Sequence, residues 1–133
     1  MKKYQIIYAD PPWEYRLFSH QGTGRTAASH YDTMRIVDIY ELPVGNIADK
    51  DCVLFLWATF PALPEALHTI KAWGFHYKTV GFVWVKKNKK KESWFWGMGT
   101  WTRANAEVCL IAIKGIPKVI SNSVHQILYS RIR

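Results

Sequence analysis

Cysteine is scarce in this chain. Its 133 residues contain two, Cys52 and Cys109, each inside an apolar strand-like run and far apart in sequence. Neither has a Cys or His partner at the short spacing of a zinc site, so both read as buried thiols. The five histidines (His20, His30, His68, His76 and His125) show no ligand spacing among themselves, and no Ser-His-Asp or Cys-His constellation emerges from their order. Long apolar runs are missing too. No stretch approaches the roughly 18 residues of a membrane span, and no charged-then-apolar leader follows Met1, so a membrane is excluded as a partner and the cytoplasm is the expected compartment. Acidic residues are few, 10 against 18 Lys plus Arg, which leaves a net charge of +8. A field of that sign draws in polyanions and speeds their encounter, and nucleic acid is the natural candidate. The competing reading is that the charge only keeps a small protein soluble.

What is present is enough apolar residue to fold. A hydrophobic share of 49% in 133 residues predicts one domain, residues 1–133, burying about two-thirds of its unfolded surface. Residues 4–9 read as a buried first strand. Residues 14–30, with Gly22, Gly24 and many small polar side chains, form a long loop of the kind that usually serves function. Gly22-Thr23-Gly24 neither follows a strand directly nor opens a helix, so it reads as a substrate loop rather than a dinucleotide fingerprint. Thr33 suits the cap of a short helix over 34–42, broken by Pro43 and Gly45. Residues 52–58 have the continuous β-favouring run of a central strand covered on both faces. A helix over 61–73, with His68 as a structural residue, ends at Gly74. A strand over 77–87, a long loop over 88–104, a strand over 107–114 and a last strand over 124–133 complete the chain. This alternation predicts an α/β layered fold with a largely parallel sheet, whose ligands sit beyond the carboxyl ends of the strands. Asp10 and Lys86 both fall at such ends.

Asp10-Pro11-Pro12-Trp13, closing the first strand, is the most informative segment. Two prolines cannot continue a ladder and hold φ near about −65°, so the strand end becomes a rigid platform with fixed carbonyls. Such a platform suits a flat base bearing an amine. The exocyclic nitrogen of adenine is a poor nucleophile because its lone pair is delocalised, and holding both N–H bonds with acceptors frees that pair. Asp10 and the Pro11 carbonyl supply two acceptors, and Trp13 supplies a stacking surface, for which a cleft position is expected over a core one. An Asp-Pro turn with no chemistry is the bland alternative. Glu107 opens an apolar strand, either at a solvated rim or in a site. Lys86 heads the run Lys86-Lys87-Asn88-Lys89-Lys90-Lys91, which is either a solvated loop or, in the preferred reading, a phosphate-contacting one. Trp94, Trp96 and Trp101 surround Gly97-Met98-Gly99, either as a base-stacking lid or tucked against the domain.

In these residues the chain resembles the MT-A70 family of S-adenosylmethionine-dependent adenine-N6 methyltransferases, through Asp10-Pro11-Pro12-Trp13 after an Ile-rich strand. The likeness continues in order through His30-Tyr31-Asp32-Thr33-Met34, Val53-Leu54-Phe55-Leu56-Trp57-Ala58, Ala72-Trp73-Gly74-Phe75, Phe82-Val83-Trp84-Val85-Lys86 and Asn105-Ala106-Glu107-Val108-Cys109-Leu110. The resemblance implies a Rossmann-like methyltransferase sheet with flanking helices. It also implies methyl transfer to the N6 amine of adenine in nucleic acid, with DNA preferred over RNA because the chain lacks RNA-binding appendages. It assigns catalysis to Asp10, Pro11, Pro12 and Trp13, the adenine pocket to Tyr31, Trp84, Lys86 and Glu107, and the amino-acid part of S-adenosyl-L-methionine to Asp10. Family members continue with a Lys-Pro-x-Glu helix, a strand ending in Phe-x-Arg and a Gly-Asn segment. The present chain stops at Arg133, so the expectation is either a C-terminal truncation or a protein that continues beyond Arg133. The family's paired subunits make a homodimer, or a heterodimer with a second methyltransferase subunit, a further expectation. Two rival readings remain, a non-catalytic nucleic-acid-binding subunit and an inactive truncated remnant.

Overall fold

The computed structural model describes residues 2–13, 34–99 and 101–132. The expected loop over 14–30, the Gly22-Thr23-Gly24 segment, His20, His30, Tyr31 and Thr33 lie outside them. The described elements run β1 (Tyr4–Ala9), α1 (Ile36–Glu41), β2 (Ala48–Ala58), α2 (Leu63–Ala72), β3 (His76–Lys87), β4 (Ala106–Lys114) and β5 (Ile127–Arg131). The strands form one sheet in the order β1-β2-β4-β3-β5. β1 and β5 pair in parallel with β2 and β3, while β4 is antiparallel to both its neighbours. Four strands therefore share one direction and β4 alone is reversed. The largely parallel sheet expected from the sequence is corrected to a mixed one. Its cause is local: among the described residues no helix separates β3 from β4, and strands joined without a crossover pair antiparallel.

The core lies between this sheet and the two helices. Leu54, Leu56 and Ala58 of β2, Val108, Leu110 and Ala112 of β4, and Ile39, Ala66, Ile70 and Trp73 from the helical layer make a single buried cluster. Trp73 is tied in by its indole N–H, which donates to the Ile39 carbonyl at 2.9 Å. From Cys52 to Ala58 of β2 buried and half-buried residues alternate strictly, so this stretch is covered fully on one face, not on both as expected. β1 was expected to be buried. It is instead an edge strand, with Ile6 at 66% and Tyr8 at 67% exposure, and only Ile7 and Ala9 packing on the core. Helix α2 ends where Gly74 adopts φ +86°, a left-handed conformation in which glycine avoids the Cβ penalty. His68 packs its ring on Tyr40 at 4.4 Å. Both cysteines are free and buried.

Candidate active site

The site is built where four strand ends meet. Because side chains alternate along a strand, register decides which residues share the face opposite the helices. Tyr8 pairs with Phe55, Trp57 with Cys109, Phe82 with Cys109, and Trp84 with Glu107. Lys86 follows Trp84 on the same face, and Asp10 lies just beyond the last residue of β1. The carboxyl ends of β1, β2 and β3 and the amino end of β4 thus come together, and the reversed direction of β4 is what brings Glu107 to them.

Three hydrogen bonds pin the Asp10 platform. The Trp13 N–H donates to the Pro11 carbonyl at 2.9 Å, closing a tight turn about Pro12, and the Met34 N–H donates to the Pro12 carbonyl at 3.2 Å. The Trp13 indole N–H donates to the Trp57 carbonyl at 3.0 Å. Trp13 is 4% exposed and belongs to the core. The stacking role expected for it is therefore corrected: a buried ring offers no face to a base, and its work is to lock the strand end onto β2. Its polar handle satisfies a strand-end carbonyl that would otherwise need another partner.

The open face supplies other aromatics. The Trp57 indole N–H donates to the Tyr8 hydroxyl at 2.6 Å, and the Trp57 ring meets Trp84 edge-on at 6.4 Å. The Trp84 indole N–H donates to Ser130 of β5 at 2.8 Å. Lys86 Nζ sits 2.7 Å from Glu107 Oε2, and both side chains keep only about a quarter of their exposure or less, 21% and 25%. The same ammonium lies 5.2 Å from the Trp84 ring centre. Lys86 is thereby separated from the rest of its basic run, since Lys89, Lys90 and Lys91 are exposed. Glu107 is a member of the site rather than a rim residue.

Partial desolvation raises the carboxyl of Asp10, a residue that stays exposed, above its ordinary value, and the charge of Glu107 raises it further. Burial pushes the Cys109 thiol up to about 11, with Asp10 adding to the effect. These influences agree in placing Asp10, Glu107 and Cys109 in one electrostatic neighbourhood. Of the residues singled out in the sequence, Asp10, Trp84, Lys86 and Glu107 are brought together, with Pro11 and Pro12 half-buried beside them. Trp13 is drawn into the core, and Tyr31 lies outside the described residues. Tyr8, Trp57, Cys109 and Ser130 were not anticipated. The signal for two of them was strand periodicity: Tyr8 precedes Asp10 by two, and Trp57 occupies the open-face position at the end of β2.

Comparison with known proteins places these features in a lineage. The MT-A70 family profile matches residues 4–131. The chain is 34% identical over 129 residues to the type II methyltransferase M.MunI of Mycoplasma sp., an alignment covering 86% of this chain and 52% of that protein. It is 31% identical to a putative N(6)-adenosine-methyltransferase MT-A70-like protein of Medicago truncatula, covering 98% of this chain and 20% of the other. It is 33% identical to the N6-adenosine-methyltransferase non-catalytic subunit MTB of Arabidopsis thaliana, covering 85% and 14%. The chain spans about half the length of the first relative and a fifth or less of the plant proteins. An ordered match across nearly the whole chain, carrying Asp10-Pro11-Pro12-Trp13 at a strand end, shows that this chain belongs to the MT-A70 family.

Proposed function

We propose that this chain carries the base-gripping part of an S-adenosylmethionine-dependent methyltransferase that modifies the N6 amine of adenine in nucleic acid, DNA in preference to RNA. The observation that carries the reading is the Asp10 carboxyl, fixed on a hydrogen-bonded Pro-Pro turn and perturbed by Glu107. An amine N–H donates to Asp10. The other donates to the Pro11 carbonyl, which spends one lone pair on the Trp13 N–H and keeps the second. With both N–H bonds engaged, the nitrogen lone pair is freed and the positive charge developing on nitrogen meets a carboxylate. The open-face Trp84, held by Ser130 and by the Lys86 ammonium, replaces Trp13 as the aromatic surface beside the amine. The Lys86–Glu107 pair fixes charge beside Asp10 and Trp84. S-adenosylmethionine, when bound, supplies an electrophilic methyl group on a sulfonium centre. The donor set fits that cofactor's cationic end, because Asp10 and Glu107 repel one another and a cation beside Asp10 relieves the repulsion.

DNA is preferred because the chain is more similar to the bacterial type II methyltransferase, at 34% identity, than to the Medicago protein named as an adenosine methyltransferase, at 31%. The chain then works in the cytoplasm, alone or paired with a second methyltransferase subunit. Calorimetric titration of S-adenosylmethionine, followed by methyl-transfer assays on DNA and RNA, tests the proposal. Saturable binding, methyl transfer that disappears in Asp10→Ala, and nucleic-acid affinity unchanged by that substitution are expected. Near-normal turnover in Asp10→Ala overturns the role of Asp10. Failure to bind the cofactor assigns the donor half to a partner and the present chain to a binding role.

A further inference from the structure

A second cluster lies around the outer edge of β3, on the opposite face from the candidate site. Lys86 and Lys87 are neighbours on one strand, so their side chains diverge: Lys86 pairs with Glu107 while Lys87 points to the other side. There Lys87, Glu92, Ser93, Trp94, Trp96 and Tyr129 line an open trough of about 700 Å³. The hairpin that forms it is ordered, with Lys87 and Trp94 bridged and the Asn88 N–H donating to the Ser93 carbonyl at 2.8 Å. Trp94 meets Tyr129 edge-on at 6.3 Å, and Lys87 Nζ stands 5.7 Å and 5.0 Å from their ring centres. The rings are nonetheless open to solvent, Trp94 at 42%, Trp96 at 52% and Tyr129 at 63%. A tucked loop would have hidden them.

Charge identifies the occupant. Glu92 pairs with both Lys87 and Arg131, and Lys89, Lys90 and Lys91 stand exposed alongside, so the rim keeps four net positive charges. Exposed rings flanked by cations form a platform that stacks bases while the cations meet phosphates, and only unpaired bases offer their faces. We infer that this trough is a stacking subsite for a single-stranded stretch of nucleic acid, which passes around the end of β3 from the candidate adenine pocket. The inference extends the proposed function, since it takes the same polymer as ligand.

The test uses the 133-residue chain and two labelled twelve-residue strands, oligothymidylate and a fully abasic strand carrying the same phosphates, read by fluorescence anisotropy. Neither contains adenine, so the reading is independent of the catalytic pocket. Oligothymidylate is expected to bind about 5- to 100-fold more tightly than the abasic strand, from one or two stacked bases. Trp96→Ala and Tyr129→Ala should each bring it severalfold closer to the abasic value, while Asp10→Ala leaves the preference intact. Should Trp96→Ala lower the melting temperature, Trp96→Leu keeps apolar volume without a ring and serves in its place. Equal affinity for the two strands, or a preference that survives loss of the ring at Trp96 and Tyr129, overturns the inference. Absence of methyl transfer by the unsubstituted chain, with a retained base preference, would instead count against the catalytic reading alone.

Discussion

Asp10 accepts hydrogen bonds from an amine most strongly when ionised, and its environment opposes ionisation through desolvation first and Glu107 second. The acid limb of the pH–rate profile should therefore lie above the pH at which an ordinary aspartate titrates. Glu107→Gln removes a like charge and releases the Lys86 ammonium, and both changes favour the carboxylate, so the limb should move to lower pH. A limb that stays in place, or moves upward, would show that Asp10 is not the titrating group. Cys109 gives a second prediction from the same neighbourhood. With its thiol near 11 and only 2% of its surface exposed, it should resist alkylation at pH 8 in the native chain and react once unfolded. Rapid native-state labelling would contradict that placement. At this scale the sequence was informative where chemistry is unusual for its position: a carboxylate before two prolines, a glutamate opening an apolar strand, a lysine closing one. It was misleading at Trp13, because Glu14, Tyr15 and Arg16 signal an exit from the sheet while the indole's reach to the Trp57 carbonyl is a tertiary fact. Tyr8 and Trp57 passed unnoticed because aromatics within strands look like ordinary β formers.

Elements are bounded in this fold by two glycines that share a conformation and differ in surroundings. Gly74, after α2, has φ +86° and open space where a Cβ would stand. Gly115, after β4, has φ +71°, and a Cβ there would strike the Lys50 carbonyl and the Asp51 carboxylate. That carboxylate accepts the Ile116 N–H at 2.8 Å and ties the strand exit to β2. Gly74→Ala should cost about 1 kcal/mol, the left-handed penalty alone. Gly115→Ala should cost about 2–4 kcal/mol, because the clash adds to the same penalty and loosens the Asp51 contact. Urea unfolding of the two variants checks the order, and equal losses would refute the crowding at Gly115. The Gly74 stop was legible in sequence, as were β3 and β4, whose long valine- and isoleucine-rich runs state their own type. Strand direction was not, since an alternating pattern of elements does not say that the chain doubles straight back between β3 and β4. Nor was the edge position of β1: Ile6 and Ile7 look equally apolar, and only the sheet order leaves Ile6 uncovered.

Across the whole molecule, the proposed function divides between two faces of one sheet. The helices and core occupy one side, the Asp10 site takes the other, and the exposed lysines stand around the edge of β3. In the proposed function catalytic chemistry and long-range attraction are separable, because that reading gives the first to Asp10 and the second to Lys89, Lys90 and Lys91. Each phosphate neutralised by a lysine releases condensed counterions, so the logarithm of affinity falls with the logarithm of salt in proportion to the number of contacts. Replacing all three lysines with glutamine should flatten that slope by about 2 to 3. It should lower affinity for any sequence alike, since phosphates carry no sequence information. The substitutions lie on an exposed loop, so stability should change by about 0.5 kcal/mol or less. Asp10→Ala should leave the slope untouched. An unchanged slope in the triple variant would make the run a solvated loop and confine nucleic-acid contact to the sheet; a flattened slope with retained methyl transfer at low salt would show capture and catalysis to be separate properties of the same small sheet.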